Sequence, residues 1–124
     1  MNVSEIIGKT FVSVEMKDRS EIVFTTDSGV RYIMSHDQDC CESVSVEDIE
    51  GDLNDLVGSP ILQAEESTNR EEPKPEYADS FTWTFYKFAT IKGYVTIRWL
   101  GESNGYYSES VDFFEEGKSR YSWD

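Results

Sequence analysis

Positive charge, cysteine and long apolar runs are all scarce in this sequence. Eleven Lys and Arg stand against twenty-five Asp and Glu across 124 residues, a formal charge of -14 with a pI near 4.3. That balance argues against direct binding of DNA, RNA or an anionic membrane, which need a basic footprint. Only two cysteines occur, and they are neighbours, Cys40 and Cys41. Adjacent cysteines are expected not to bridge, because disulfide geometry wants Cα atoms farther apart than one peptide bond sets them. A disulfide framework holding the domain is excluded, which fits a reducing compartment. No apolar run approaches the roughly 18 residues of a membrane-spanning helix. The N-terminus, MNVSEIIGKTF, lacks the basic and apolar regions of a signal peptide, so a cytoplasmic location is expected. Phosphate-loop, dinucleotide and serine-hydrolase motifs are missing too, as is any internal repeat.

What is present is β-forming sequence in a length that suits one domain, 1–124. Aromatic residues make up 14% of the chain, too many for a globally disordered protein. Thr10–Met16, Glu21–Thr26 and Val30–Ser35 alternate or are β-branched, with polar turns between them, and read as a meander. Val3–Ile7 reads as a helical turn ending at Gly8. Ser43–Ile49 reads as a short strand, Asp52–Val57 as one short helix needing Leu53 and Leu56 to pack it, and Pro60–Glu65 as a strand. Ser67–Asp79 has the composition of a flexible loop, with two prolines and many charges, and 115–124 that of a polar tail. Ser80–Thr90, Gly93–Gly101 and Tyr106–Phe114 are three long strand candidates. The expected fold is mainly β: a small antiparallel sandwich or strongly curled sheet with one short helix.

Register in the C-terminal third predicts two faces. A three-residue turn Ser103-Asn104-Gly105 sets Ile97 against Val111 and Val95 against Phe113. Phe81, Trp83, Phe85, Val95, Ile97, Trp99, Val111 and Phe113 then form the core side. A turn at Ile91-Lys92-Gly93 sets Tyr86 opposite Arg98, with Ser110 on Arg98's other flank. Arg98 would sit among Thr84, Thr96 and Ser110, with Tyr86, and with Tyr106 and Tyr107 as further rings. Such a platform suits a phosphorylated or nucleotide-like small molecule: the guanidinium pairs with phosphate, a ring stacks, hydroxyls donate. The plainer alternative pairs Arg98 with Asp112 or Glu109 on a solvated sheet face.

Charge is also unevenly placed. Between Arg31 and Arg70 there is no Lys or Arg, while Asp37, Asp39, Glu42, Glu47, Asp48, Glu50, Asp52, Asp55, Glu65 and Glu66 all fall there. The acidic block Asp37–Asp55 suits docking on a basic surface of a host protein, in imitation of a nucleic-acid backbone, or equally a surface that only keeps the chain soluble. Within it, His36, Asp37, Asp39 and Cys40 are weak metal candidates. The usual two-residue spacer between thiolates and the calcium-loop glycine are absent, so no metal or cofactor is expected. The plain reading makes Cys40 or Cys41 a small buried residue at the start of the next strand.

Five segments carry a resemblance: His36-x-Gln38-Asp39-Cys40-Cys41-Glu42, Gly51-Asp52-Leu53-x-Asp55-Leu56-x-Gly58-x-Pro60-Ile61, SFTWTFYK at 80–87, KGYVTIRW at 92–99 and NGYYSESV at 104–111. From about Gly8 to Phe114 the chain resembles an uncharacterised family of small phage- and prophage-associated proteins. The resemblance implies an accessory binding protein that counters host defence, and no defined chemistry. Its implied partner is a nucleotide-like ligand or a basic host protein. A homo-oligomer would add positive groups to a site with one Arg. A metal-dependent enzyme is the third reading.

Overall fold

The computed structural model describes residues 1–69 and 80–118. Eight strands form two four-stranded antiparallel sheets: β1 (Phe11–Lys17), β2 (Glu21–Thr26), β3 (Arg31–Ser35), β4 (Ser43–Glu50), β5 (Gln63–Asn69), β6 (Ser80–Thr90), β7 (Gly93–Ser103) and β8 (Asp112–Glu115). The strand orders are β1-β2-β3-β8 and β4-β7-β6-β5. No helix among the described residues is long and apolar enough to cross a membrane.

The alternation expected of β1 to β3 puts Val14, Ile22, Phe24, Tyr32 and Met34 inward. The facing sheet contributes Tyr86, Phe88, Val95, Ile97 and Trp99. Phe24 and Phe88 meet between the sheets with ring centroids 5.7 Å apart, and Phe24 also meets Phe113 edge-on at 5.6 Å. Trp99 Nε1 donates to Met34 Sδ at 3.2 Å, a polar tie inside an otherwise apolar seam. Two single 3₁₀ turns close the ends. Val3–Ile6 starts with a reciprocal cap between Asn2 and Glu5, and Leu53–Leu56 starts with Asp52 accepting from the Asn54 N–H. Both are too short to stand alone; Ile6 and Leu56 are buried and hold them.

The β1–β2 turn is an unusual one. Asp18 and Arg19 have φ of 57° and 79°, the left-handed region normally filled by Asn or Gly, within a three-residue connection, Asp18 to Ser20, that sets Lys17 opposite Glu21. The turn is held from outside. Val46 N donates to Arg19 O at 2.7 Å, and Arg19 Nη1 donates to the carbonyls of Val46 and Glu47 at 3.0 and 3.2 Å. These bonds fall at the irregularity in β4 between Val46 and Asp48. The first sheet thereby covers part of an edge of the second.

Several expectations are corrected. Tyr106–Phe114 is not one strand hairpinned to β7: residues 104–111 form a loop that crosses between the sheets, and β8 pairs with β3, Met34 opposite Phe113. The β6–β7 turn contains two residues, Ile91 and Lys92, with Thr90 opposite Gly93. That one-residue difference rotates every β6 side chain to the other face. Phe85, not Tyr86, lies opposite Arg98, and Phe81, Trp83 and Phe85 leave the core row while Tyr86 and Phe88 enter it. β5 begins at Gln63, so Pro60–Leu62 precede it and Ser67–Asn69 belong to it instead of to a loop; 70–79 lie outside the described residues. Glu115 ends β8, and 119–124 of the tail lie outside as well. Cys40 and Cys41 are exposed, precede β4, and are joined to each other by a disulfide. Both lie in an irregular loop, where neighbouring side chains are not forced to opposite faces as they are in a strand.

Candidate binding surfaces

The outer face of β4-β7-β6-β5 carries alternating residues that the core does not use: Phe81, Trp83, Phe85 and Lys87 from β6, and Thr96 and Arg98 from β7. The Arg98 guanidinium lies over the Trp83 ring, 4.9 Å from its centroid. This contact holds the long side chain flat and keeps its charge beside a ring face. Arg98 Nε and Trp83 Nε1 are both buried and have no hydrogen-bond partner. Beside them an open groove of about 850 Å³ is lined by Glu50, Ser67, Thr68, Asn69, Phe85, Lys87, Thr96 and Arg98. Lys87 lies opposite Thr96 and Phe85 opposite Arg98. The two cations are therefore diagonal neighbours, roughly 7–8 Å apart at the Cα level.

The polar residues expected to converge on Arg98 do not do so. Only Thr96 shares its face. Tyr86 is fully buried, with its hydroxyl donating to Val111 O at 3.3 Å. Burial, with the Glu66 carboxylate beside it, pushes that phenol far above its usual range. Thr84, Tyr107 and Ser110 line a different cleft on the core side, and Tyr106 is 89% exposed in the crossing loop. Asp112 pairs in register with Ser35, and Glu109 bonds Thr82 and Ser103, so neither lies opposite Arg98 as the plainer alternative required. The sequence signal that would have turned β6 the right way is Lys87. It continues the row Phe81, Trp83, Phe85, and an unpaired lysine does not belong in a core row.

The segment His36–Glu42 forms a closed polar knot. Glu42 is buried, and its carboxylate accepts from His36 Nε2 at 2.7 Å, the Asp39 and Cys40 N–H groups at 2.9 Å, and Gln38 Nε2 at 3.2 Å. His36 Nδ1 meets Ser110 O at 2.7 Å, so the knot also pins the crossing loop. Burial alone would raise the Glu42 pKa. The hydrogen bonds from His36 and from the Cys40 and Asp39 amides outweigh it and hold the carboxyl at about 2. Glu42 is thus not part of a docking surface, which corrects its place in the acidic block. Asp37, Asp39, Glu47, Asp48, Glu50 and Asp52 are exposed, and Asp55 is half-buried beside the β6–β7 turn. The metal candidates do not assemble: both ring nitrogens of His36 are engaged, Cys40 is in a disulfide, and no three His, Cys, Asp or Glu among the described residues are grouped to hold an ion.

A family model described as Domain of unknown function (DUF7448) matches residues 4–113, and the chain belongs to that family. No curated protein and no solved structure matches it.

Proposed function

We propose that this is a non-enzymatic binding protein that holds a small anionic molecule with a flat ring, nucleotide-like or otherwise phosphorylated, on the outer face of β4-β7-β6-β5. The observation that carries the proposal is Arg98: a guanidinium stacked on Trp83, with Nε unpartnered, at a groove that also presents Lys87. Arg98 and Lys87 would share the phosphate, Phe85 would offer a ring face, and Thr96 and Ser67 would supply hydroxyls. Tyr86, Thr84, Ser110, Tyr106 and Tyr107 drop out of this site. The -14 charge repels an anion at long range, but ions screen that repulsion over about 8 Å at physiological salt. In the setting that the sequence resemblance implies, a phage-type accessory protein in the bacterial cytoplasm, capture of a phosphorylated host signal would blunt a defence response.

Adenosine monophosphate and inorganic phosphate are suitable probes, followed by amide chemical shifts. The expected result is saturable shifts at Phe85, Thr96 and Arg98 with the nucleotide, weakened by about tenfold or more in Arg98→Ala. Absence of shifts on that face with both probes, or an Arg98→Ala protein that binds as the parent does, would overturn the proposal.

A second reading rests on Glu47, Asp48, Glu50 and Asp52, which stay solvent-facing along edge strand β4 and just beyond it. They would dock on a basic protein surface, and that binding would weaken steeply with salt. The same charges also protect a sheet edge from pairing with another chain.

A further inference from the structure

The outer face of β4-β7-β6-β5 continues past the groove. On β7, Tyr94 alternates in step with Thr96 and Arg98 and out of step with buried Val95 and Ile97, so it shares their face. Tyr94 is 74% exposed and stands opposite Ala89, next to the register pair of Lys87 and Thr96. The strip thus holds two separate rings: Phe85, opposite Arg98, and Tyr94, four residues before Arg98 on the same strand. Strand geometry sets their Cα atoms about 14 Å apart. Lys87 and Thr96 lie between them. One planar ring cannot lie on both, and two bases stacked at about 3.4 Å would not span the gap.

Charge narrows the guest further. In the groove lining, Arg98 and Lys87 stand against a single carboxylate, Glu50, which leaves one positive charge in surplus. Asp48 is in register with Arg98 and Glu65 with Lys87, so a carboxylate flanks each cation. A terminal phosphate carries about two negative charges near neutral pH, and its second charge would meet those flanks. A phosphodiester has no second proton to lose and carries one charge. Its two unesterified oxygens suit one donor each from Arg98 and Lys87. Arg98 is already oriented for this by Trp83, with its buried Nε lacking a partner.

We infer that the outer face takes two bases joined by a phosphodiester, a ligand of dinucleotide size. One base lies on Phe85, the diester sits between Arg98 and Lys87, and the second base, splayed away from the first, lies on Tyr94. The groove of about 850 Å³ is near the top of the roughly 300–1,000 Å³ range of small-molecule sites, which leaves room beyond one nucleotide. Stacking on an aromatic ring tolerates any base, so the strip selects size and linkage more than base identity. This inference rests on the outer-face reading and adds to it Tyr94 and the diester.

The test compares the dinucleoside monophosphate ApA with adenosine monophosphate, each titrated into the full chain and followed by amide chemical shifts. ApA should bind about tenfold tighter than the mononucleotide, with shifts at Tyr94 as well as at Phe85 and Arg98. Tyr94→Ala should weaken ApA by about tenfold, and Tyr94→Phe, which keeps the ring, should bind it as the parent does. Tyr106→Ala, which removes an exposed ring in the crossing loop, should change neither ligand. If the mononucleotide shifts Phe85 and Arg98 while ApA binds no tighter, or if Tyr94→Ala binds ApA as the parent does, the inference is overturned and the outer-face reading stands. If neither ligand shifts that face, both are overturned.

Discussion

The two faces of β6 make an instructive pair. One presents Thr84, Tyr86 and Phe88, the other Trp83, Phe85 and Lys87, and both are rich in aromatic rings. Only one face is sealed. Phe88 is fully buried against Phe24 and Tyr86, whereas Phe85 is part of an open groove wall. Composition alone would call either face a core. What separates them is the facing sheet, which can cover one side only. The uncovered side is left with rings, two cations and unpartnered N–H groups, a combination more apt for recognition than for stability.

The comparison predicts unequal consequences for similar changes. Phe88→Ala should cost about 3–5 kcal/mol, because it opens a cavity between the sheets; urea denaturation would measure it. A loss below about 1 kcal/mol would mean that the sheets do not close over that face. Gly101→Ala should cost about 1–3 kcal/mol, since the new methyl meets the Glu109 backbone 2.7 Å away and the crossing loop must lift. Its amides should also exchange faster, which tests whether the loop and β7 behave as one unit.

Acid should act on the Glu42 knot in a defined window. The Glu42 carboxyl is held at about 2 in the folded chain, below its ordinary value of 4.5. The unfolded chain therefore takes up its proton first. The stabilisation is fully present above 4.5 and is lost as pH falls from there through about 2. Stability curves for the parent and Glu42→Gln should lie apart at neutral pH and converge across that window. Parallel curves would show that the carboxylate charge is not what the knot uses. The smallest effect is expected on the open face: Phe85→Ala should change stability by less than about 1 kcal/mol. The same variant should weaken nucleotide binding, and a large stability loss would instead make that groove wall part of the core.

Much of the strand pattern was legible because alternation is local. β1, β2, β3, β4, β6 and β7 fall where the residues place them, within a residue or two. Legibility stopped where a partner had to be chosen. Asp112–Glu115 carries the same local pattern whether it pairs with β7 or β3, and only the crossing of residues 104–111 decides. The candidate site failed for a related reason. One residue in the β6–β7 turn moved Tyr86 into the core, replaced it with Phe85 beside Arg98 and turned Thr84 toward another cleft, while the crossing loop carried Ser110 there. Glu42 looked like one more surface acid because burial of a carboxylate requires donors gathered from His36, Gln38 and two backbone amides, which spacing does not reveal.

Alone, the sequence determined the β-dominated class, the short helical turns before Gly8 and after Gly51, the acidic balance and the presence of an arginine within a β strand. These follow from composition and from periodicities of two residues. The tertiary structure alone decided which aromatic row is core, which strand β8 joins, and which charges face water. Each of these depends on contacts between residues far apart in the chain. A one-residue change of register costs little locally but inverts which face the opposite sheet can cover.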